Sequence, residues 1–129
     1  MYDRELILNI LGQIKIASQR IERRFTKITS PKDFLALDEG VDRLDAICMM
    51  LIAIGENLKQ LDKITDSKLL LKYPEVDWKG AKGVRDVISH HYFDINEEAV
   101  YTICDERIPG LIKTISRIMT DMEATDPER

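Results

Sequence analysis

From Ile7 to Ile28 an apolar side chain returns every three or four residues: Ile7, Ile10, Ile14, Ala17, Ile21, Phe25 and Ile28. That interval matches the turn of an α-helix and lays one apolar stripe along it. A half-buried strand needs alternation at two residues, and no stretch of the chain shows it. The stripe predicts a helix from about Asp3 to Lys27. A helix this long with one apolar side must bury that side on partners, so the demand passes to the rest of the chain.

The rest supplies them. "TSPKD" at 29–33 restarts the chain, with Ser30 as N-cap, Pro31 at the first helical position and Asp33 in the first turn. A short helix over Phe34 to Leu37 leads into a long one, about Asp38 to Leu61, striped by Val41, Leu44, Cys48, Leu51, Gly55 and Leu58. Gly40 and Gly55 cost helix propensity, and Gly55 marks a close helix crossing. Residues 62 to 77 connect, punctuated by Pro74. A third helix opens near Trp78 and runs through "KGAKGVRDVISHH". Asn96 then caps a last helix, about Glu97 to Met122, whose core face is Val100, Ile103, Ile108, Leu111, Ile115, Ile118 and Met122. Pro109 must bend it or break it. The fold class is all-α, an antiparallel bundle of four to five helices in one domain spanning 1–129, with a polar tail from about residue 123.

Composition narrows the function. The longest apolar run, residues 46 to 55, is too short to cross a bilayer, and the acidic N-terminus reads as no signal peptide. Cys48 and Cys104 lie in apolar helical patterns with no partner at ligand spacing, which predicts buried free thiols and a cytoplasmic location. The net charge of −4 excludes a general polyanion binder, so any nucleic-acid contact is local. Ile112, Ile47, Met50, Ile52 and Ile54 lie off the main stripes. This surplus suits a homodimer interface, although a wider core in one protomer would absorb part of it.

The chain's 2 histidines stand side by side in "GVRDVISHHYFDIN", residues 83 to 96. His90 and His91 can exchange protons near neutral pH, Arg85 offers a planar fork to phosphate oxygens, and Tyr92 can stack or donate. No Asp and His cluster has metal-ligand spacing, so the chemistry these residues suit is metal-free phosphodiester cleavage. On a continuous helix Arg85 and Tyr92 share a face while His90 points away. Either the helix ends before His90, or a second protomer completes the site. The plainer reading pairs Arg85 with an acid and lets a histidine favour the helix C-terminus. Lys79, Lys82 and Arg85 oppose only Asp86 over 79–92, and Lys15, Arg20, Arg23, Arg24 and Lys27 give the first helix a basic side. Such faces can track an RNA backbone, or simply be solvated.

"RDVISHHY" resembles the R-x4-H-x-Y pattern of the HEPN superfamily, and in particular its HepT-like branch. The resemblance extends through "LIAIGENLKQL" at 51–61, similar to that branch's IGE-containing helix, and through residues 73 to 112. It implies a homodimeric, metal-independent RNase toxin without cofactors, with Arg85 stabilising the scissile phosphate and His90 as acid/base. It implies a partner, a minimal nucleotidyltransferase antitoxin (the MNT type) that inhibits by AMPylation of Tyr92. Asp86 stands where the family often has Asn, and could orient His90 or repel RNA. His91 is an extra imidazole, and Glu56 belongs to the IGE-like element, where a surface or cap role competes with a site role. The alternative is a non-catalytic helical module that binds such a nucleotidyltransferase as a scaffold.

Overall fold

Asp3 begins the first helix by accepting a hydrogen bond from the Leu6 N–H at 3.1 Å, which satisfies one donor that a helix start leaves unpaired. The structure, a computed structural model, describes residues 3–90 and 92–124. Helix α1 spans Arg4–Phe25 and buries Ile7, Ile10, Ile14, Ala17 and Ile21, with Ile28 buried just beyond it. Leu11 joins them and widens the stripe. Phe25 is only half-buried, its ring lying against those of Phe34 and Tyr101.

The turn after α1 corrects one expectation. Neither Ser30 nor Pro31 enters the short helix α2 (Asp33–Ala36), and Ser30 is not its side-chain cap. Asp33 reaches back instead: its Oδ2 accepts from the Thr29 N–H at 2.7 Å, the Thr29 hydroxyl at 2.8 Å and the Ser30 N–H at 3.2 Å. An ionised carboxylate offers more acceptor sites than a hydroxyl and makes stronger, charge-assisted bonds, so it wins the turn. These bonds, the Thr29 N–H foremost, hold Asp33 below the usual carboxylate range. Phe34 is thereby placed in the core with no exposed surface.

Helix α3 (Asp38–Ile64) is the central element, packed against both α1 and α4. It starts tight on α2, because a Cβ at Gly40 would overlap the Asp33 carbonyl. Leu44, Cys48, Leu51, Gly55 and Leu58 are buried as their spacing requires, and so are Ile47, Ile54 and Leu61. Ile47 and Ile54 therefore belong to the chain's own core. Met50, Ile52 and Ile112 are half-buried against it. Two-sided packing of α3 absorbs apolar surface that one seam would have left over. Cys48 and Cys104 are buried free thiols, pushed up to about 11 and about 12, chiefly by desolvation.

The helix stops in a backbone device. Thr65, fully buried, donates its hydroxyl to the Leu61 carbonyl at 2.8 Å. Asp66 and Ser67 then take left-handed φ values of 53° and 59°, and the Ser67 N–H closes back on the Asp62 carbonyl at 2.8 Å. The connection that follows is strapped to the last helix. Tyr73 donates to Asp121 at 2.8 Å, the Arg117 guanidinium lies 4.8 Å from the centre of its ring, and Arg117 pairs with Glu75 at 2.9 Å.

Helix α4 (Trp78–His90) opens with the Trp78 indole donating to the Tyr73 carbonyl at 2.8 Å and Asp77 accepting from the Gly80 N–H at 3.0 Å. After a 3-10 turn at Tyr92–Asp94, Asn96 caps α5 (Glu97–Thr102) by accepting from the Glu98 and Ala99 N–H groups. The chain continues through a π-turn at Ile103–Arg107 into α6 (Ile108–Ala124), so 97–124 is one helical run. Pro109 lacks an N–H and its ring crowds the carbonyl four residues back; the widened turn just before it accommodates both. Val100, Ile108, Leu111, Ile115 and Ile118 are buried, while Ile103 and Met122 are half-buried. Among the described residues there is no strand, and no helix is long and apolar enough to cross a membrane.

Candidate active site

Helix α4 is held from one side. Ile88 is its one buried side chain among the described residues, and the helix packs on α3. The crossing is close because residue 55 has no side chain. A Cβ built at Gly55 would stand 2.8 Å from the Cβ of Arg85 and 3.4 Å from the Ala81 and Lys82 carbonyl oxygens. Gly55 thus sets the height of Arg85 above α3, and the next residue, Glu56, is brought beside the guanidinium.

Four charged side chains meet there. Arg85 donates from Nη1 to Asp86 Oδ1 at 2.8 Å and from Nε to Glu56 Oε1 at 3.4 Å. Lys59, one helical turn beyond Glu56 on α3, reaches Asp86 Oδ2 at 3.3 Å and Oδ1 at 3.4 Å. Arg85 and Lys59 hold the Asp86 carboxyl below its usual range, Arg85 the more strongly, and the Asp86 and Glu56 bonds raise Arg85. All four side chains remain between about a third and three-fifths exposed, so an anion in solution has access to them.

The sequence expectations divide here. Glu56 is a partner of Arg85, not a cap. Asp86 engages Arg85 and Lys59, and among the described residues it makes no bond to His90. Lys82 leaves the basic patch, since it is ion-paired with Asp62 of α3. Lys59 was not legible as a site residue; its signal lay in its distance from Gly55, one helical turn past the crossing.

The helix does not end before His90. It includes His90 as its last residue, so at about 100° per residue the His90 side chain leaves the axis roughly 140° from Arg85. His90 is exposed. His91 lies outside the described residues. Tyr92 starts the 3-10 turn at 37% exposure, its ring edge-on to that of Phe93 at 5.8 Å, and Phe93 is 99% exposed. The chain thus gathers Arg85, Asp86, Glu56 and Lys59, while His90 leaves α4 on another side and Tyr92 lies in the turn beyond it. A cleft of about 330 Å3 between α4 and the π-turn, walled by Leu51, Ile54, Val84, Ile103 and Leu111, contains none of these residues. Among the described residues no group of three or more His, Cys, Asp and Glu is placed to hold a metal ion.

The chain is thus an all-α bundle of the HEPN-like type whose α4 carries the Arg85 and His90 of an R-x4-H-x-Y motif. The chain matches the family described as "Ribonuclease HepT-like" over residues 4–118, and it belongs to that HepT-like ribonuclease family of the HEPN superfamily. It is similar to "Putative RNase MJ0127" of Methanocaldococcus jannaschii, 40% identical over 81 residues that cover 63% of this chain and 64% of that protein. "Putative RNase MJ1216" of the same organism is 31% identical over the same shares of each chain. "Putative RNase TTE0752" of Caldanaerobacter subterraneus is 33% identical over 66 residues, 51% of this chain and 55% of that protein. The chain therefore matches these relatives over less than two thirds of their length. No solved structure matches it.

Proposed function

We propose that the protein is a metal-independent endoribonuclease, the toxin of a pair whose antitoxin is an MNT-type nucleotidyltransferase. His90 takes the proton of a ribose 2′-hydroxyl, and the oxygen attacks the adjacent phosphorus. The 5′-oxygen leaves with a proton, so that a 2′,3′-cyclic phosphate and a 5′-hydroxyl end result. Arg85 stabilises the charge gathering on the non-bridging oxygens. Arg85 and His90 leave one helix on different sides, so the pair that works together comes from two protomers of a homodimer, Arg85 of one and His90 of the other. Tyr92, exposed beside His90, attacks the α-phosphorus of ATP bound by the nucleotidyltransferase and releases pyrophosphate. The added AMP brings negative charge and bulk to the RNA path and blocks it.

The observation that carries this reading is the position of the motif. A match to a ribonuclease family runs through α4 and the turn after it, where Ile88 is buried while His90 and Tyr92 are left to solvent. The test is cleavage of total cellular RNA by the purified protein in EDTA, beside His90→Ala and Arg85→Ala. Acid–base catalysis is worth about 10²–10⁴-fold and a donor on developing charge about 10²–10³-fold, so either variant is expected to lose at least two orders of magnitude while keeping its helical circular dichroism. Equal, negligible cutting by all three, with no adduct in the wild-type mass, would favour the non-catalytic module that binds the nucleotidyltransferase. The pairing of Arg85 with two carboxylates is the feature that fits that second reading.

A further inference from the structure

The charged quartet contains a cation that the R-x4-H motif does not include. Lys59 comes from α3 and points at the same carboxylate as Arg85. The two cations share one oxygen, with Asp86 Oδ1 at 2.8 Å from Arg85 Nη1 and 3.4 Å from Lys59 Nζ, while Oδ2 lies 3.3 Å from Lys59. Two oxygens on one central atom, bridged by a guanidinium and an ammonium, is how a phosphate sits between an arginine and a lysine. Asp86 supplies such an oxygen pair from within the chain.

The two acids do different things to Arg85. Glu56 meets Nε, on the side of the guanidinium nearer the backbone, and comes from the helix that Arg85 crosses at Gly55. It fixes the direction of the side chain. Asp86 meets the outer nitrogen Nη1, which a phosphate would need. With both acids in place two cations face two carboxylates, and the quartet presents no net charge to RNA. With Asp86 turned away it presents one positive charge and two free donor groups, while Glu56 still orients Arg85. Asp86 can turn away because it is half exposed and its bonds in the quartet run only to the two cations it would release.

We infer that Lys59 is a second phosphate-binding residue of the Arg85 site, and that Asp86 occupies the phosphate position in the RNA-free protein as an internal competitor. This rests on the reading that Arg85 binds an RNA phosphate, and it adds Lys59 and Asp86 as residues that set the affinity for it.

The experiment is fluorescence anisotropy of a labelled single-stranded RNA oligonucleotide across a salt series. It uses His90→Ala protein so that RNA stays intact, and adds Lys59→Gln, Lys59→Arg or Asp86→Asn. Lys59→Gln is expected to weaken binding on the order of tenfold, as for loss of one charge-assisted bond, and to lower the salt slope by about 0.7, one phosphate contact on a single strand. Lys59→Arg keeps the slope. Asp86→Asn binds several-fold more tightly than its parent. In protein with His90 intact, the Lys59→Gln loss falls on KM rather than kcat. An unchanged salt slope in Lys59→Gln, or weaker binding by Asp86→Asn, overturns the inference, as does an absence of any RNA binding. Lys59-dependent binding without cleavage by the His90-intact protein would sustain this inference and defeat the nuclease reading, so the two failures are distinct.

Discussion

Replacing Gly55 by alanine tests how α3 positions Arg85. Alanine is the better helix former by about 1 kcal/mol, so propensity alone predicts a more stable protein. The geometry predicts otherwise. The new Cβ would stand 2.8 Å from Arg85 Cβ, whereas two carbons rest at about 3.5–4.0 Å. The atom that must yield is itself a Cβ, fixed to the α4 backbone, so no rotamer change relieves the contact. The helices must part by roughly 1 Å at the crossing, and overpacking of this kind costs about 1–3 kcal/mol. The net expectation is a loss of about 0–2 kcal/mol, read from urea unfolding as a lower midpoint at constant slope. The effect on function should exceed the effect on stability. A displacement of 1 Å in a positioning group can cost on the order of 10²-fold in rate, and here the displaced group is Arg85 together with its bond to Glu56. A Gly55→Ala protein more stable by the full propensity gain, with wild-type cleavage, would refute the argument that the missing Cβ sets the site.

Two predictions concern the frame around the site. Tyr73, buried and bonded to Asp121, has its phenol pushed up to about 12, by burial first and that bond second. The unfolded chain releases the proton near 10, so this stabilisation is intact below about pH 10 and disappears as pH rises toward 12. Tyr73→Phe should therefore cost about 1–2 kcal/mol at neutral pH, and the gap to wild type should close between pH 10 and 12 in chemical denaturation. Asn96→Ala removes the acceptor for two N–H groups at the start of α5 and should cost about 1 kcal/mol by the same assay.

What the sequence made legible was what repeats along it or acts locally. The Ile7–Ile28 stripe, the Asn96 cap and the Pro109 irregularity each follow from one segment's own chemistry. Gly55 was readable as a crossing, because a glycine inside a long apolar stripe violates propensity for a reason. Its partner was not, since nothing in residues 51–61 says which helix lies above. The same limit hid the bonds of Lys82 to Asp62 and of Lys59 to Asp86, which join different helices. Break signals after Tyr92 also misled. They act on the 3-10 turn at Tyr92–Asp94, and α4 keeps His90 in its last turn. Ser30 lost its capping role to Asp33 for a reason of local competition that only the folded turn displays.

In the proposed mechanism Arg85 and His90 act on one phosphate although a single helix sends them in different directions. Mixing two inactive proteins separates a shared site from a site within one chain. Arg85→Ala and His90→Ala are each purified, unfolded and refolded together, and assayed for RNA cleavage in EDTA. A mixed dimer holds one site with Arg85 from one chain and His90 from the other, so mixing is expected to restore cutting that neither parent shows. If both parents are inactive, folded and shown to exchange subunits, and the mixture stays inactive, the shared site is contradicted.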